Sequence, residues 1–580
     1  MKSFHKYLYF GLLQHAIGSL AARGGHCPPL GPVLPAPVHP STHPSVEAAV
    51  AALQQNLEST TASYNGSGLA VGVKSIHEKK LMLEFAYTPP TLDPRGKESV
   101  DSDTVFRLAS LSKVFPVLAI LKLNKVSLDD AVTKFLPQLR ALNKQARAQN
   151  SVWTVDWDDV TVGALASHLG GFGADMITDI QPYGDWTQFG FPGEDVTRNL
   201  NCSGLMGVPA CKESVFWERF GERPPVYAPF APNTVYSNIG WVLIGKIIEK
   251  VSGMPSEEFI QKFIWDPTGM KHTFSAKPED DSVGFIPLDD EWWNATLGFV
   301  APAGDYYSTI NDLHAFGDAV LRHKLLSPAH TRKWMKPTTS TSSQGILIGA
   351  GWEIFRSNNV TKDGRLIEFY TKGGDISTYH SLLVLIPDYD LVFTILGAGP
   401  EIDGLVLQLI FSDLISVLLP SVEEAGKEES SKTYGGTYSD QETNSTLTLS
   451  VDDEPGFSIT NWTVRGVDII NTYLGVNLKP ILPIPTGLVR FRLYPTNLEA
   501  ENQSSWRFMP VAGTPEETEE QNSLFAWPDA VCNTWASLDR IVYQLLSQDH
   551  FVFTECEGEG GRMATELELV GYRVTLKRQE

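Results

Sequence analysis

Phe106-Arg107-Leu108-Ala109-Ser110-Leu111-Ser112-Lys113-Val114-Phe115-Pro116 sets a serine and a lysine three residues apart at the head of an apolar run. Ser110 and Lys113 stand three apart, and on a helix such positions share a face, so a hydroxyl lies beside an amine. A helix that begins near Ser110 also turns its positive end toward the serine oxygen and any oxyanion formed there. An acyl-transfer nucleophile needs that arrangement: a base in reach and an electropositive floor. The apolar run Val114 to Leu123 is expected to be a buried helix that holds the pair still. The spacing alone is weak evidence, since Ser3 and Lys6 repeat it, and the rest of the chain has to supply partners.

Two strands are expected ahead of the stretch, Gly68 to Ile76 and Lys80 to Tyr87, after an amphipathic helix over Ser45 to Leu57. Beyond it, Ser127 or Asp129 caps a short helix that Pro137 ends, and Trp241 to Val251 is helical. Ser381 to Ile386 and Leu391 to Leu396 read as a buried hairpin, followed by an apolar helix over Leu405 to Leu419. From Tyr434 onward short alternating segments replace this pattern and imply an antiparallel sandwich or barrel. The domain order is then a signal peptide over 1–22, a proline-rich leader over 23–44, a mixed domain over 45–422, a charged, serine-rich linker over 423–432 and a β-rich domain over 433–580.

The chain has 580 residues, 42% hydrophobic and 20% charged, enough for more than one cored domain. A net charge of −22 without a Lys/Arg cluster argues against a nucleic-acid partner. Lys2 and Lys6, the apolar Tyr7 to Ile17 and the small-x-small Ser19-Leu20-Ala21 make a secretory signal, so the protein is expected to be extracellular. No later apolar run is counted as a membrane span. Two local disulfides, Cys202–Cys211 and Cys532–Cys556, are the natural pairings in an oxidising compartment, with Cys27 left over. Glycosylation sequons begin at Asn65, Asn201, Asn294, Asn359, Asn444, Asn461 and Asn502. No metal-ligand spacing is found, and no cofactor is expected.

Three elements are candidates to join Ser110 and Lys113. Tyr236-Ser237-Asn238 precedes a helix; its phenol can carry a proton, and its asparagine is otherwise a helix cap. Thr371-Lys372-Gly373-Gly374-Asp375 offers glycines that let a strand edge approach a ligand and a lysine for an anionic group; the alternative is a plain turn. His168, before Leu169-Gly170-Gly171, invites a Ser–His–Asp triad but is more simply structural.

Taken in chain order, Ser110-x-x-Lys113, Tyr236-Ser237-Asn238 and Lys372-Gly373-Gly374 resemble the S-x-x-K, Y-x-N and K-T-G motifs of the serine β-lactamase and penicillin-binding-protein superfamily, especially its class C and esterase-like branch. Leu128-Asp129-Asp130, Ser167-His168-Leu169-Gly170-Gly171 and Ala303-Gly304 with Tyr307-Ser308-Thr309 add to the likeness, which covers roughly residues 45–420. Tyr434-Gly435-Gly436-Thr437-Tyr438 resembles the start of the lipocalin-like barrels often appended to such hydrolases. The resemblance implies an α/β (α+β) domain with an antiparallel sheet flanked by helices, a helical lobe, and an all-β C-terminal domain. It implies Ser110 as nucleophile, Lys113 as its base and Tyr236 as proton partner. Asn238 would orient Lys113 and substrate, Lys372 would anchor substrate, and the amides of Ser110 and Asp375 would hold the oxyanion beside Gly373 and Gly374. Gly373 stands where the motif has threonine and Asp375 adds a negative charge, which suits an esterase, peptidase or acyltransferase better than a β-lactamase. The expected activity is acyl-enzyme hydrolysis of a small-molecule or peptide ester or amide. An acyltransferase on the same Ser–Lys–Tyr site and a non-catalytic binding protein on this fold are the alternatives.

Overall fold

The computed structural model describes residues 27–579 apart from 149, 175–183, 194–211, 221–222, 473–488, 528, 530, 533, 537 and 559–560. The expected signal peptide over 1–22, the Cys202–Cys211 pairing and the Asn201 sequon lie outside the described residues. The chain divides into two compact units, one of 38–356 with 368–418 and one of 1–37 with 357–367 and 419–580.

The first unit is built on a sheet of strands β1 (Gly68–Ser75), β2 (Leu83–Tyr87), β5 (Pro337–Ser340), β6 (Ile346–Gly349), β7 (Glu353–Ser357), β8 (Ile367–Ile376), β9 (Tyr379–Ile386) and β10 (Leu391–Ala398); the two-residue strands β3 (Phe106–Arg107) and β4 (Tyr307–Ser308) pair separately. The sheet order is β2-β1-β10-β9-β8-β7-β6-β5. β9 and β10 are buried along their whole length, as the apolar hairpin reading expects. β1 alternates large (Leu69, Val71, Val73) with small (Ala70, Gly72) because a helix packs close on the small side. A Cβ on Gly72 would lie 2.8 Å from His314 Nε2, on helix Ile310–Leu321. The opposite face carries helix Gly404–Tyr434, whose Phe411 ring meets Phe369 and Phe393 at 5.6 and 6.4 Å.

Two expectations are corrected by this architecture. Pro137 does not end a helix: it opens helix Pro137–Ala148, where its missing N–H costs nothing, and the turn before it is a 3-10 helix, Val132–Lys134. Residues 423–432 are not a loose linker but the last turns of the Gly404–Tyr434 helix, with Glu423, Ala425 and Ser430 buried. That helix is also long and apolar enough by length and composition to cross a membrane. Leu407, Phe411, Leu414, Leu418 and Val422 are nevertheless 4% exposed or less, so its apolar stripe is used as core.

The second unit is an eight-stranded barrel. Its strands are β11 (Gly436–Asp440), β12 (Ser445–Ser450), β13 (Phe457–Val464), β15 (Val489–Ala500), β16 (Gln503–Ala512), β17 (His550–Gly558), β18 (Gly561–Leu569) and β19 (Val574–Arg578), with the short β14 (Val467–Asp468) hairpinned onto β13. All neighbours are antiparallel, and β19 pairing with β11 closes the ring, leaving no open edge among these eight. β12 shows the required alternation, Leu447 and Leu449 inward and Thr446 and Thr448 outward. Aromatic rings fill the inside: Trp462 touches Phe491, Phe508 and Phe551 at 5.6, 4.9 and 5.7 Å.

The leader also belongs to this unit. Leu34 enters the barrel core and Val33 packs with Tyr494 and Met509. That contact carries Cys27 to Cys532, and the two form the disulfide, with Cα atoms 5.4 Å apart. The expected Cys532–Cys556 bond is therefore wrong: Cys556 is free and exposed on β17. Nearness in sequence misled, because the leader's docking is a tertiary event. In a non-reducing peptide map Cys27 and Cys532 are expected in one linked peptide, with Cys556 open to alkylation. Cys27→Ser should cost the second unit about 2–5 kcal/mol in chemical unfolding; a mapped Cys532–Cys556 link would contradict this docking of the leader.

Candidate active site

Ser110 sits in a 3-10 turn, Ala109–Lys113, that runs into the buried helix Val114–Lys122. The turn holds Ser110 and Lys113 on one face, and Lys113 Nζ donates to Ser110 Oγ at 2.9 Å. Lys113 is completely buried and also donates to the Ala303 carbonyl, while its own carbonyl accepts from Trp241 Nε1 at 2.8 Å. The residue before Ser110, Ala109, has φ +46°, a left-handed conformation that alanine adopts only under constraint.

Tyr236 arrives from more than a hundred residues away and donates its hydroxyl to the same Ser110 Oγ at 2.8 Å. Loop contacts place it: Val235 N–H bonds the His168 carbonyl at 2.9 Å, and Ser237 N–H donates to His168 Nδ1 at 3.1 Å. The His168 and Tyr236 rings stack at 4.4 Å. His168 is thus a packing partner of the tyrosine, not a base on the serine. Burial and the nearby Lys113 and Lys372 charges hold its imidazole well below its ordinary pKa, so it stays neutral. Burial pushes the Tyr236 phenol up, but the Lys113 and Lys372 ammonium groups and the bonds to Ser110 and Lys113 outweigh it, and the net shift is downward.

Ser237, not Asn238, caps helix Asn238–Ser252, its Oγ accepting from Gly240 N–H at 3.2 Å. Asn238 is the first helical residue, and its backbone N–H donates to Ala174 O at 2.9 Å.

Residues 371–375 are strand, not turn, and form part of β8. Gly374 lets that strand touch the Ser110 turn: a Cβ there would lie 2.7 Å from Ser381 Oγ and 2.8 Å from Leu111 N, and closer still to Leu108 O. Ser381 Oγ donates to the Leu108 carbonyl at 2.6 Å and so ties β9 to the same turn. Lys372 Nζ lies 5.6 Å from the Tyr236 ring centroid. Its nearest partners were not foreseen: Glu353 Oε1 and the Gly373 carbonyl, each at 2.7 Å. Burial lowers the Lys372 pKa, but Glu353 and Tyr236 raise it further, and the net shift is upward. The carboxylate of Asp375 is 64% exposed and pairs with His380 Nδ1 at 2.7 Å.

The structure therefore brings Ser110, Lys113 and Tyr236 together, with Lys372, Gly373 and Gly374 on the strand beside them. Sequence reasoning missed Glu353, the Ala303 carbonyl and Trp241. No spacing rule connects Glu353 to Lys372; only the adjacency of β7 and β8 does. The segment that carries Ala303 is pinned below the site by a buried ion pair of Arg107 with Asp305.

A serine whose oxygen is shared by a lysine and a tyrosine, beside a strand of an antiparallel sheet, defines a serine hydrolase of the β-lactamase and penicillin-binding-protein type. The chain belongs to the beta-lactamase family, whose model matches residues 53–403, and a model described as "Beta-lactamase-like-like, C-terminal domain" matches residues 426–580. A "Beta-lactamase-like protein" of Arthroderma benhamiae is 26% identical, the match covering 95% of this chain and 96% of that protein. "Probable hydrolase M10" of a Phoma species is also 26% identical, covering 89% and 85%. Among solved structures, the D-amino acid amidase from Ochrobactrum anthropi SV3 aligns at 19% identity over 66% of this chain and 99% of that one, with a TM-score of 0.46.

Gly374→Ala is expected to push β8 off the Ser110 turn and lower kcat/KM on the order of 10²-fold, the usual result of misplacing reacting groups by about 1 Å. Steady-state kinetics beside a circular dichroism spectrum checks it; full activity would show that the close approach is not needed.

Proposed function

We propose that this protein is a secreted, glycosylated serine hydrolase that cleaves esters or amides through an acyl-enzyme on Ser110. One observation carries the reading: Ser110 Oγ lies 2.9 Å from Lys113 Nζ and 2.8 Å from Tyr236 OH. Both groups that would take its proton are already in contact with it. When the Lys113–Tyr236 pair loses a proton, the bond to Ser110 reverses and the hydroxyl becomes a donor. Oγ then attacks the acyl carbon, and its proton passes into the pair. The pair returns that proton to the leaving alcohol or amine, and a water repeats the sequence in deacylation. The amides of Ser110 and Asp375, beside Gly374, are the oxyanion donors. Asn238 is assigned to orienting substrate at the mouth of its helix.

The Phoma relative, a "Probable hydrolase", supports hydrolysis by its name. Export is supported by the Cys27–Cys532 disulfide and by the exposure of Asn65, Asn294, Asn359, Asn444, Asn461 and Asn502, the sequon asparagines among the described residues.

Turnover of a short p-nitrophenyl ester is expected to fall on the order of 10³-fold or more in Ser110→Ala and 10²-fold or more in Lys113→Ala. A chromogenic cephalosporin should be a poor substrate by comparison. Absence of turnover and of any acyl adduct on Ser110 by mass spectrometry would defeat the proposal.

The pH profile gives a separate check. A phenol shifted downward ionises below its ordinary value of 10.0, so kcat/KM should rise with pH and level off below that value. Tyr236→Phe should abolish that limb. A limb that persists in the variant would assign the titration elsewhere.

A further inference from the structure

We infer that this site is built for uncharged, apolar acyl donors, and that Glu353 is the residue that excludes anionic ones. The inference rests on the hydrolase reading and names the substrate class for it.

Lys372 stands at the strand position that would bind an anionic substrate group, yet its charge is already used. It is 3% exposed, with Glu353 Oε1 at 2.7 Å and the Gly373 carbonyl at 2.7 Å. Glu353 Oε2 accepts from the Gly373 N–H at 3.3 Å. The carboxylate therefore lies along the backbone of Gly373, the position where a threonine hydroxyl would otherwise greet a substrate carboxylate. An anionic substrate approaching there meets a like charge and a satisfied lysine.

An independent observation gives the apolar half. The loop that delivers Tyr236 shows Val226, Tyr227 and Phe230 to solvent, at 52%, 42% and 52% exposure. It is stitched to the segment beside His168: Val226 and Tyr227 N–H groups donate to Gly171 O at 2.7 and 3.0 Å, and Phe230 N–H to Leu169 O at 2.8 Å. Phe230 holds φ +59°, a conformation costly for a bulky side chain, while its ring stays in solvent. Strain kept at an exposed aromatic six residues before the proton-carrying tyrosine fits a rim that receives an apolar acyl chain.

Boronic acids test this without requiring turnover, because boron accepts the serine oxygen to form a tetrahedral adduct. Phenylboronic acid and its 3- and 4-carboxy derivatives would be titrated into the full-length protein by calorimetry at pH 7. The wild type is expected to bind phenylboronic acid at least tenfold more tightly than either carboxylate. Glu353→Gln should shrink that ratio tenfold or more by improving carboxylate binding, and adding Lys372→Met to it should remove the gain. Equal or tighter carboxylate binding by the wild type overturns the inference; so does an unchanged ratio in E353Q, or no binding of any boronate. The wild-type ratio decides by itself if E353Q does not fold. Boronate binding in the expected order without ester turnover would instead defeat the hydrolase reading and leave the selectivity standing.

Discussion

Everything at the Ser110 site depends on how closely two backbones approach. β8 passes the turn Leu108–Leu111 at Gly374, where a single methyl group would collide with three atoms of the turn and of Ser381. On its other side the same turn is tied through Leu108 N–H to the Tyr306 carbonyl at 2.8 Å and through the Ser112 hydroxyl to Tyr306 N–H at 3.2 Å. The strained φ of Ala109 is held by this clamp. A serine so confined has little freedom to lose on reaching a transition state.

Charge is distributed with equal economy. Lys113, Lys372 and Tyr236 form a cluster in which each lysine faces the tyrosine ring, at 5.1 and 5.6 Å. Two positive charges around one phenol favour its ionised form, and burial alone would do the opposite. Glu353 then balances one of those charges, so the cluster can favour the phenolate without becoming an anion trap. His168 takes no part in proton transfer; its stacking fixes the plane of the tyrosine ring, and burial keeps it from adding a third positive charge.

The second unit contributes by a different logic. A meander of eight strands with aromatic rings packed inside is a filled core rather than an open cup. Its leader segment is sewn to it by Leu34 in the core and by the disulfide from Cys27.

Much of this was legible in the chain itself. The Ser110-x-x-Lys113 spacing, the apolar run behind it, the β9–β10 hairpin and the alternation of β12 follow from local rules, because helical and strand periodicities are properties of neighbouring residues. The order of the three motifs marked the family and so assembled Ser110, Lys113 and Tyr236 on paper. Tertiary packing alone decided the rest. Glu353 meets Lys372 only because β7 and β8 are adjacent, Cys27 meets Cys532 because the leader docks on the barrel, and His168 became a stacking partner because the loop before Ser237 folds back on it. Pro137 began a helix and 423–432 continued one because helix ends are set by what the flanking residues pack against as much as by their own propensities. Contacts between residues distant in sequence leave no periodic trace, and they are where this site's charge balance resides.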